Sequence, residues 1–216
     1  GYIHLTTHNR FANKINEERL QKINNNIYSF KAEVEGSFPE HSYPTEFELE
    51  LKEGAQVMFI KNDSDPEKRY FNGKIGTVVG FEKDQIIVKC EGEDEEIYTS
   101  KERWENSRYT INKNTKEIEE KRVGTFIQYP LKLAWAITIH KSQGLTFEKA
   151  IIDAADAFAH GQTYVALSRC KTLDGLILSS KITEEAVICD QEVNNFNQYI
   201  DSHQPNEEKL NDAVYA

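Results

Sequence analysis

The chain has 216 residues, room for one large domain or a medium domain with a smaller insertion. With 38% apolar, 11% aromatic and 29% charged residues it can bury a core, which excludes wholesale disorder. The net charge of −10, from 26 basic and 36 acidic residues, excludes a global basic footprint, so any nucleic-acid site must be local.

The start, Gly1-Tyr2-Ile3-His4-Leu5, has no basic segment leading into an apolar one, and no apolar run nears the ~20 residues that span a bilayer. It opens abruptly on a strand-like stretch, so the expectation is a piece of a longer polypeptide. Residues 2–7 are rich in β-branched and aromatic types and predict a strand. Asn9–Ile23 then sets Phe11, Ile15, Leu20 and Ile23 on a helical period. The His8-Asn9 junction supplies an N-cap, and the unpaired amides of such a helix start are equally able to hold a phosphate.

From Ile27 to Lys121 the pattern turns to short alternating strands: Tyr28–Val34, Phe47–Leu51, Gln56–Ile60, Ile75–Phe81, Gln85–Cys90 and Glu96–Thr99. Gly54, Asn72-Gly73 and Gly92 punctuate them, which predicts a small antiparallel barrel or sandwich. The acidic run Glu91–Glu96 is expected to be a solvated hairpin tip. After Val123, residues 133–147 predict a helix, Ala150–Asp153 a buried strand, Gly161–Lys171 a second helix and Leu176–Leu178 a further strand. That alternation marks an α/β layer with a parallel sheet. The expected organisation is an α/β domain formed by residues 1–48 and 123–190, interrupted by a β insertion at 49–122 and followed by a C-terminal helix and tail at 191–216. Glu184–Ile200, which straddles that last boundary, is expected to dock as a helix and Asp201 onward to fray. Trp135, Tyr164 and Phe126 read as core aromatics, whereas Trp104 and Tyr70 have no assigned place. Cys90, Cys170 and Cys189 are odd in number, far apart and in no CxxC pair. That argues against a disulfide framework or a zinc site and for a reducing cytoplasm.

Chemistry concentrates in two stretches. Thr138-Ile139-His140-Lys141-Ser142-Gln143-Gly144-Leu145-Thr146 packs a cation, hydroxyls, an imidazole and an amide beside a glycine that allows close backbone approach. Such a set can serve a phosphate chain or be a polar surface turn. In Gly161–Lys171, Arg169 follows an apolar helical stretch, where a planar cation either reaches a neighbouring site or complements the helix C-terminus. Between Lys121 and Lys149, five cations (Lys121, Arg122, Lys132, Lys141, Lys149) face the carboxylate of Glu148 alone, which predicts a locally basic face.

Together the two stretches resemble motifs V and VI of superfamily 1 helicases, and Leu133–Thr146 is similar to the Pif1/RecD branch in particular. Leu51–Met58 resembles that branch's entry into its inserted barrel, and Leu5-Thr6-Thr7-His8-Asn9 resembles motif IV. The four segments stand in the family's order over most of residues 2–180. The resemblance implies a RecA-like parallel-sheet domain of the P-loop NTPase type (2A), lacking its own Walker A and interrupted by an SH3-like β-barrel (2B). It further implies the C-terminal half of an ATP-dependent DNA helicase that moves 5′ to 3′ on single-stranded DNA. By carry-over Arg169 is the arginine finger for the γ-phosphate, Gly144 lies near the nucleotide, and Thr7, Asn9, Thr138, His140, Lys141 and Ser142 touch the strand. Relatives of the UvrD type carry an acidic residue where Thr146 stands, so Thr146 is left out of the nucleotide site. The sequence has no GxxxxGK[ST] loop: Gly73-Lys74 is followed by neither Ser nor Thr. ATP and Mg²⁺ would therefore be held mainly by an N-terminal RecA-like domain of the same polypeptide, and this piece alone is expected to be inactive. The alternative is a noncatalytic protein-binding module on a helicase-like scaffold.

Overall fold

The computed structural model describes residues 1–111, 116–153, 159–187 and 190–204; Cys189 and the expected tail beyond 204 lie outside them. In chain order the first half comprises β1 (Ile3–Thr6), α1 (Asn9–Gln21), β2 (Ile27–Lys31), β3 (Glu33–Gly36), β4 (Glu48–Lys52), β5 (Gln56–Phe59), β6 (Ile75–Glu82), β7 (Gln85–Cys90) and β8 (Glu96–Thr99). The second comprises β9 (Glu102–Ile111), β10 (Ile118–Gln128), β11 (Leu131–Leu133), β12 (Ala136–Thr138), β13 (Ala150–Ile152), α2 (Gln162–Leu167), β14 (Leu176–Leu178) and α3 (Gln191–Ser202).

A four-stranded parallel sheet runs β12-β1-β13-β14, aligning Thr6 with Thr138, Leu5 with Ile152 and Ile151 with Ile177. β1 is an interior strand, and Ile3 and Leu5 are fully buried, as expected of a strand covered on both faces. The core here joins Ile137, Ile139, Leu145, Phe147, Ala150 and Ala166 to these two, together with Met58 from β5. The α/β class and the parallel sheet are as the sequence predicts.

The antiparallel strands form a sheet in the order β11-β5-β6-β7-β8, a β2-β4 ribbon and a β3-β10-β9 sheet. The five-stranded sheet and the ribbon enclose a second core of Leu49, Leu51, Val57, Phe59, Val78, Ile86, Val88, Ile97, Tyr129 and Leu131. These strands extend past both edges of the 49–122 span expected for the insertion, since β2 pairs with β4 and β11 pairs with β5. The long β9-β10 hairpin was not legible in the sequence. Its strands mix charged, polar and apolar residues with little apolar alternation, so period-two patterning is faint.

Residues 133–147 form no helix. Ala134 N donates to Gln56 O at 2.9 Å, and the Asn16 amide brackets Ala136, accepting from its N at 2.9 Å and donating to its O at 2.9 Å. With those groups engaged laterally, the β-branched run Ile137-Thr138-Ile139 continues as a strand and a turn. The Gln56 side-chain amide also donates to Ala134 O at 2.7 Å and Tyr2 O at 3.2 Å, so one residue of β5 touches the lead-in of both β12 and β1.

His8 is the N-cap of α1 and Asn9 its first helical residue; no side chain caps the helix, and the Thr7 hydroxyl lies 2.8 Å from His8 Nδ1. Phe126 is buried and Trp135 packs partly buried against the antiparallel core, but Tyr164 is 75% exposed on the outer face of α2. Tyr70 is buried and stacked on Phe59, and Lys61 lies over the Trp104 ring. Helix α3 is capped by Asp190, but none of its residues is buried, so the docking expected of it is not seen. The acidic hairpin is not merely solvated: Glu91 pairs with Lys149 and Glu93 with Lys74.

Candidate nucleic-acid interface

Parallel sheets place ligands beyond the carboxyl ends of their strands. Here β1 ends at Thr6 and its neighbour β12 at Thr138, and the chain segments leaving both enter one cleft of about 890 Å³. The cleft is lined by Thr7, His8 and Asn9 after β1, by Thr138–Lys141 and Gln143 after β12, and by Ala159, His160, Gln162 and Val165 around the start of α2. Five of the residues singled out from sequence thus meet: Thr7, Asn9, Thr138, His140 and Lys141.

The post-β12 turn explains their presentation. Lys141 N donates to Thr138 Oγ1 at 3.3 Å, and Ser142 N donates to Thr138 O at 3.0 Å, which curls the chain so that His140 and Lys141 project outward. Ser142 is the exception among the expected contacts. Its side chain is fully buried, its hydroxyl donates to Ile139 O at 2.6 Å, and it does not line the cleft. A small hydroxyl at this position satisfies a buried carbonyl and so builds the turn. Gly144 ends the turn with φ +79, a left-handed conformation that favours glycine, and open space surrounds it where a Cβ would stand. Beyond it, Thr146–Lys149 line a different cavity of about 330 Å³, at the seam with β6 and β7. The run is therefore bipartite, its first half on the cleft and its second on the seam.

Arg169 also lies away from the cleft. Helix α2 stops at Leu167, short of the expected end at Lys171, and Arg169 follows its C-cap. Its Nε donates to Val165 O at 3.1 Å, Nη1 to Leu145 O at 3.1 Å and Nη2 to the Ser168 hydroxyl at 3.1 Å. The guanidinium thus caps the helix end, the structural role left open from sequence, and ties it to the residue after Gly144. A guanidinium has five N–H donors, so part of its capacity remains for an anion.

The expected basic face is smaller than the sequence count suggested. Lys149 is paired with Glu91 at 2.8 Å and Arg122 with Glu105 at 2.8 Å, and Lys121 and Arg122 sit on the β10 arm. Lys141 alone of the five lines the cleft. Lys132 lines an adjoining groove of about 360 Å³ that shares Asn9, Thr138 and Lys141 with it. Burial pushes the Lys132 ammonium below the ordinary lysine range; Glu46 opposes the shift and Lys141 adds to it. Among the described residues, no cluster of three or more His, Cys, Asp or Glu is placed to hold a metal ion.

Sequence reasoning missed His8, Gln143, His160 and Gln162 as cleft residues. The first two sit inside the quoted motifs. The last two flank Gly161, whose φ of +69 turns the chain into α2, and polar residues on both sides of such a glycine were the available signal.

Residues 133–177 match the family of the UvrD-like helicase C-terminal domain. The ATP-dependent DNA helicase Pif1 of Psychrobacter sp. (strain PRwf-1) is 36% identical over 220 residues, covering 81% of this chain and 33% of that protein. Unliganded Pif1 from Bacteroides sp. superposes with a TM-score of 0.83 at 40% identity, over 94% of this chain and 46% of that one. Bacteroides Pif1 in complex with ADP-AlF3 and ssDNA gives 0.73 at 40% identity, over 94% and 46%. The chain therefore spans about a third of that curated relative and under half of the solved chains.

Proposed function

Because the chain belongs to the Pif1-like helicases and carries their RecA-like fold, we propose that it is the C-terminal motor half of an ATP-dependent DNA helicase translocating on single-stranded DNA, 5′ to 3′ by its family resemblance. In this reading residues 1–48 and 123–190 are domain 2A, the antiparallel unit centred on 49–122 is an SH3-like 2B insertion, and 191–216 are a C-terminal helix and tail. The single observation that carries it is the cleft: segments far apart in the sequence, each named from sequence as strand-contacting, line one channel. Thr7, Asn9, Thr138 and His140 offer polar groups to a sugar-phosphate backbone and Lys141 a point charge. Ser142 shapes the turn that presents them.

Arg169 is the arginine finger in this proposal, approaching the γ-phosphate with the donors not used on Val165, Leu145 and Ser168. Gly144 allows close approach near the nucleotide. The sequence has no Walker A, so in this reading the phosphate cradle and the metal belong to an N-terminal RecA-like domain of the same polypeptide. The cytoplasm suits this assignment, as it keeps the free thiols of Cys90 and Cys170 reduced.

The test is single-strand-stimulated ATPase of the full native polypeptide, wild type beside Arg169→Ala. The expected result is a stimulated rate that falls on the order of 10³-fold in the variant while ATP binding persists. A folded wild type without stimulated hydrolysis would refute the motor assignment and leave a binding module on a helicase-like scaffold.

A further inference from the structure

Resting on the helicase reading above, we propose that the antiparallel insertion positions the arginine finger: Gly73, in the loop before β6, packs against Leu145, and the Leu145 carbonyl holds the Arg169 guanidinium. A Cβ at residue 73 would stand 2.8 Å from Leu145 Cδ2, 3.5 Å from Cγ and 3.6 Å from Cβ. A side chain there would force the Leu145 methyl to shift, and the φ of +100 at Gly73 is a conformation that L side chains rarely adopt.

Neither partner is free to drift. Gly73 N donates to Phe59 O at 2.8 Å, and the adjacent Lys74 ammonium is pinned by the Glu93 carboxylate at 2.6 Å. Leu145 is buried, packs in a core that includes Met58 of β5, and its N donates to Ser142 O at 3.0 Å. One residue thus has its side chain seated on the insertion and its carbonyl 3.1 Å from Arg169 Nη1. A push on the Leu145 side chain displaces that carbonyl, and with it the charge that must meet the γ-phosphate. Misplacement of a reacting group by about 1 Å costs up to ~10²-fold in rate. Gly73 and Leu145 are positioning residues in this scheme, since each acts through Arg169.

The experiment uses the full native polypeptide and compares wild type, Gly73→Val, Leu145→Ala, Arg169→Ala and the two doubles with Arg169→Ala. Single-strand-stimulated ATPase gives kcat and the KM for ATP, anisotropy of a labelled oligothymidine gives strand affinity, and thermal unfolding reports folding. The expected result is a kcat roughly tenfold lower in Gly73→Val and in Leu145→Ala, with KM and oligothymidine affinity within about twofold of wild type. Adding Arg169→Ala to either should cost far less than it does in wild type, because the finger is already misplaced. Leu145→Ala breaks the contact without straining residue 73, so it carries the test if Gly73→Val fails to fold. Wild-type kcat in folded Leu145→Ala, or losses that simply multiply with Arg169→Ala, would overturn the proposal alone. Absence of stimulated turnover in wild type would overturn the helicase reading, and this proposal with it.

Discussion

Replacing Asn16 with alanine removes the side-chain amide that completes the outer edge of β12. Asn16 accepts from Ala136 N and donates to Ala136 O, both at 2.9 Å, so α1 supplies what a fifth strand would supply at that edge. Ala136 is 1% exposed, so water reaches those peptide groups poorly once the amide is gone. Two hydrogen bonds at about 1 kcal/mol each, plus incomplete resolvation of one donor and one acceptor, give roughly 2–4 kcal/mol. For a chain of this size that lowers Tm by roughly 5–15 °C. Urea unfolding followed by tryptophan fluorescence should show a lower midpoint at unchanged slope. Asn16→Asp keeps the acceptor and sets a carboxylate against the Ala136 carbonyl, so it should be more destabilising at neutral pH than at a pH where the carboxyl is protonated and regains a donor. A loss below about 0.5 kcal/mol in Asn16→Ala, the level of an ordinary surface change, would refute the edge-capping argument.

Lys141→Ala should weaken single-strand binding and reduce the salt dependence of the affinity by about 0.7, one phosphate contact for a single strand; anisotropy titrations at several salt concentrations measure it, and an unchanged slope would contradict the placement of Lys141 on the cleft. Ser142→Ala should leave that slope intact while costing about 0.5–1.5 kcal/mol of stability, since it removes the hydroxyl bond to the Ile139 carbonyl and leaves that carbonyl only the Ser142 N–H at 3.2 Å; a changed slope at wild-type stability would reverse the assignment. Burial pushes the Cys90 thiol up to about 11, so Cys90 should resist alkylation at pH 8 in the folded protein while partly exposed Cys170 reacts, as read by peptide mass mapping. Because its folded value lies above its unfolded one of about 8.5, Cys90 favours the folded state below that unfolded value, and the preference declines as pH rises toward about 11.

The parallel sheet was legible where strands are short and apolar between polar flanks: Leu176–Leu178 is β14 to the residue, and Ala150–Asp153 runs one residue past β13. Gln85–Cys90 and Glu96–Thr99 also match their strands, because turn residues bound them. Residues 133–147 misled because Leu133, Ala134, Ala136 and Ile137 satisfy a helical period as well as a strand, and the partners that decide it, Gln56 and Asn16, are distant in sequence. The cleft residues were found by their motif, yet motif membership could not separate Lys141, which faces the cleft, from Ser142, which faces the core. The predicted basic face shrank for a related reason. Charge counting along the chain cannot see that Glu91, in the turn between β7 and β8, neutralises Lys149.

The alignment of Thr6 with Thr138 also dictates when the cleft can come into being during synthesis. β1 leaves the ribosome well before its parallel neighbours, residues 136–138 and 150–152, so Ile3 and Leu5 wait through more than half of this chain for a strand to lie against. The hairpins β6-β7 and β7-β8 pair meanwhile with segments only a few residues away, and low contact order lets them form early. Gln56 belongs to that early-forming sheet, and its side-chain amide takes the carbonyls of Tyr2 and Ala134, the residues that lead into β1 and towards β12. It is an assembly jig, built by local folding, that brings the two distant strands side by side and shortens the search that would otherwise limit the last step.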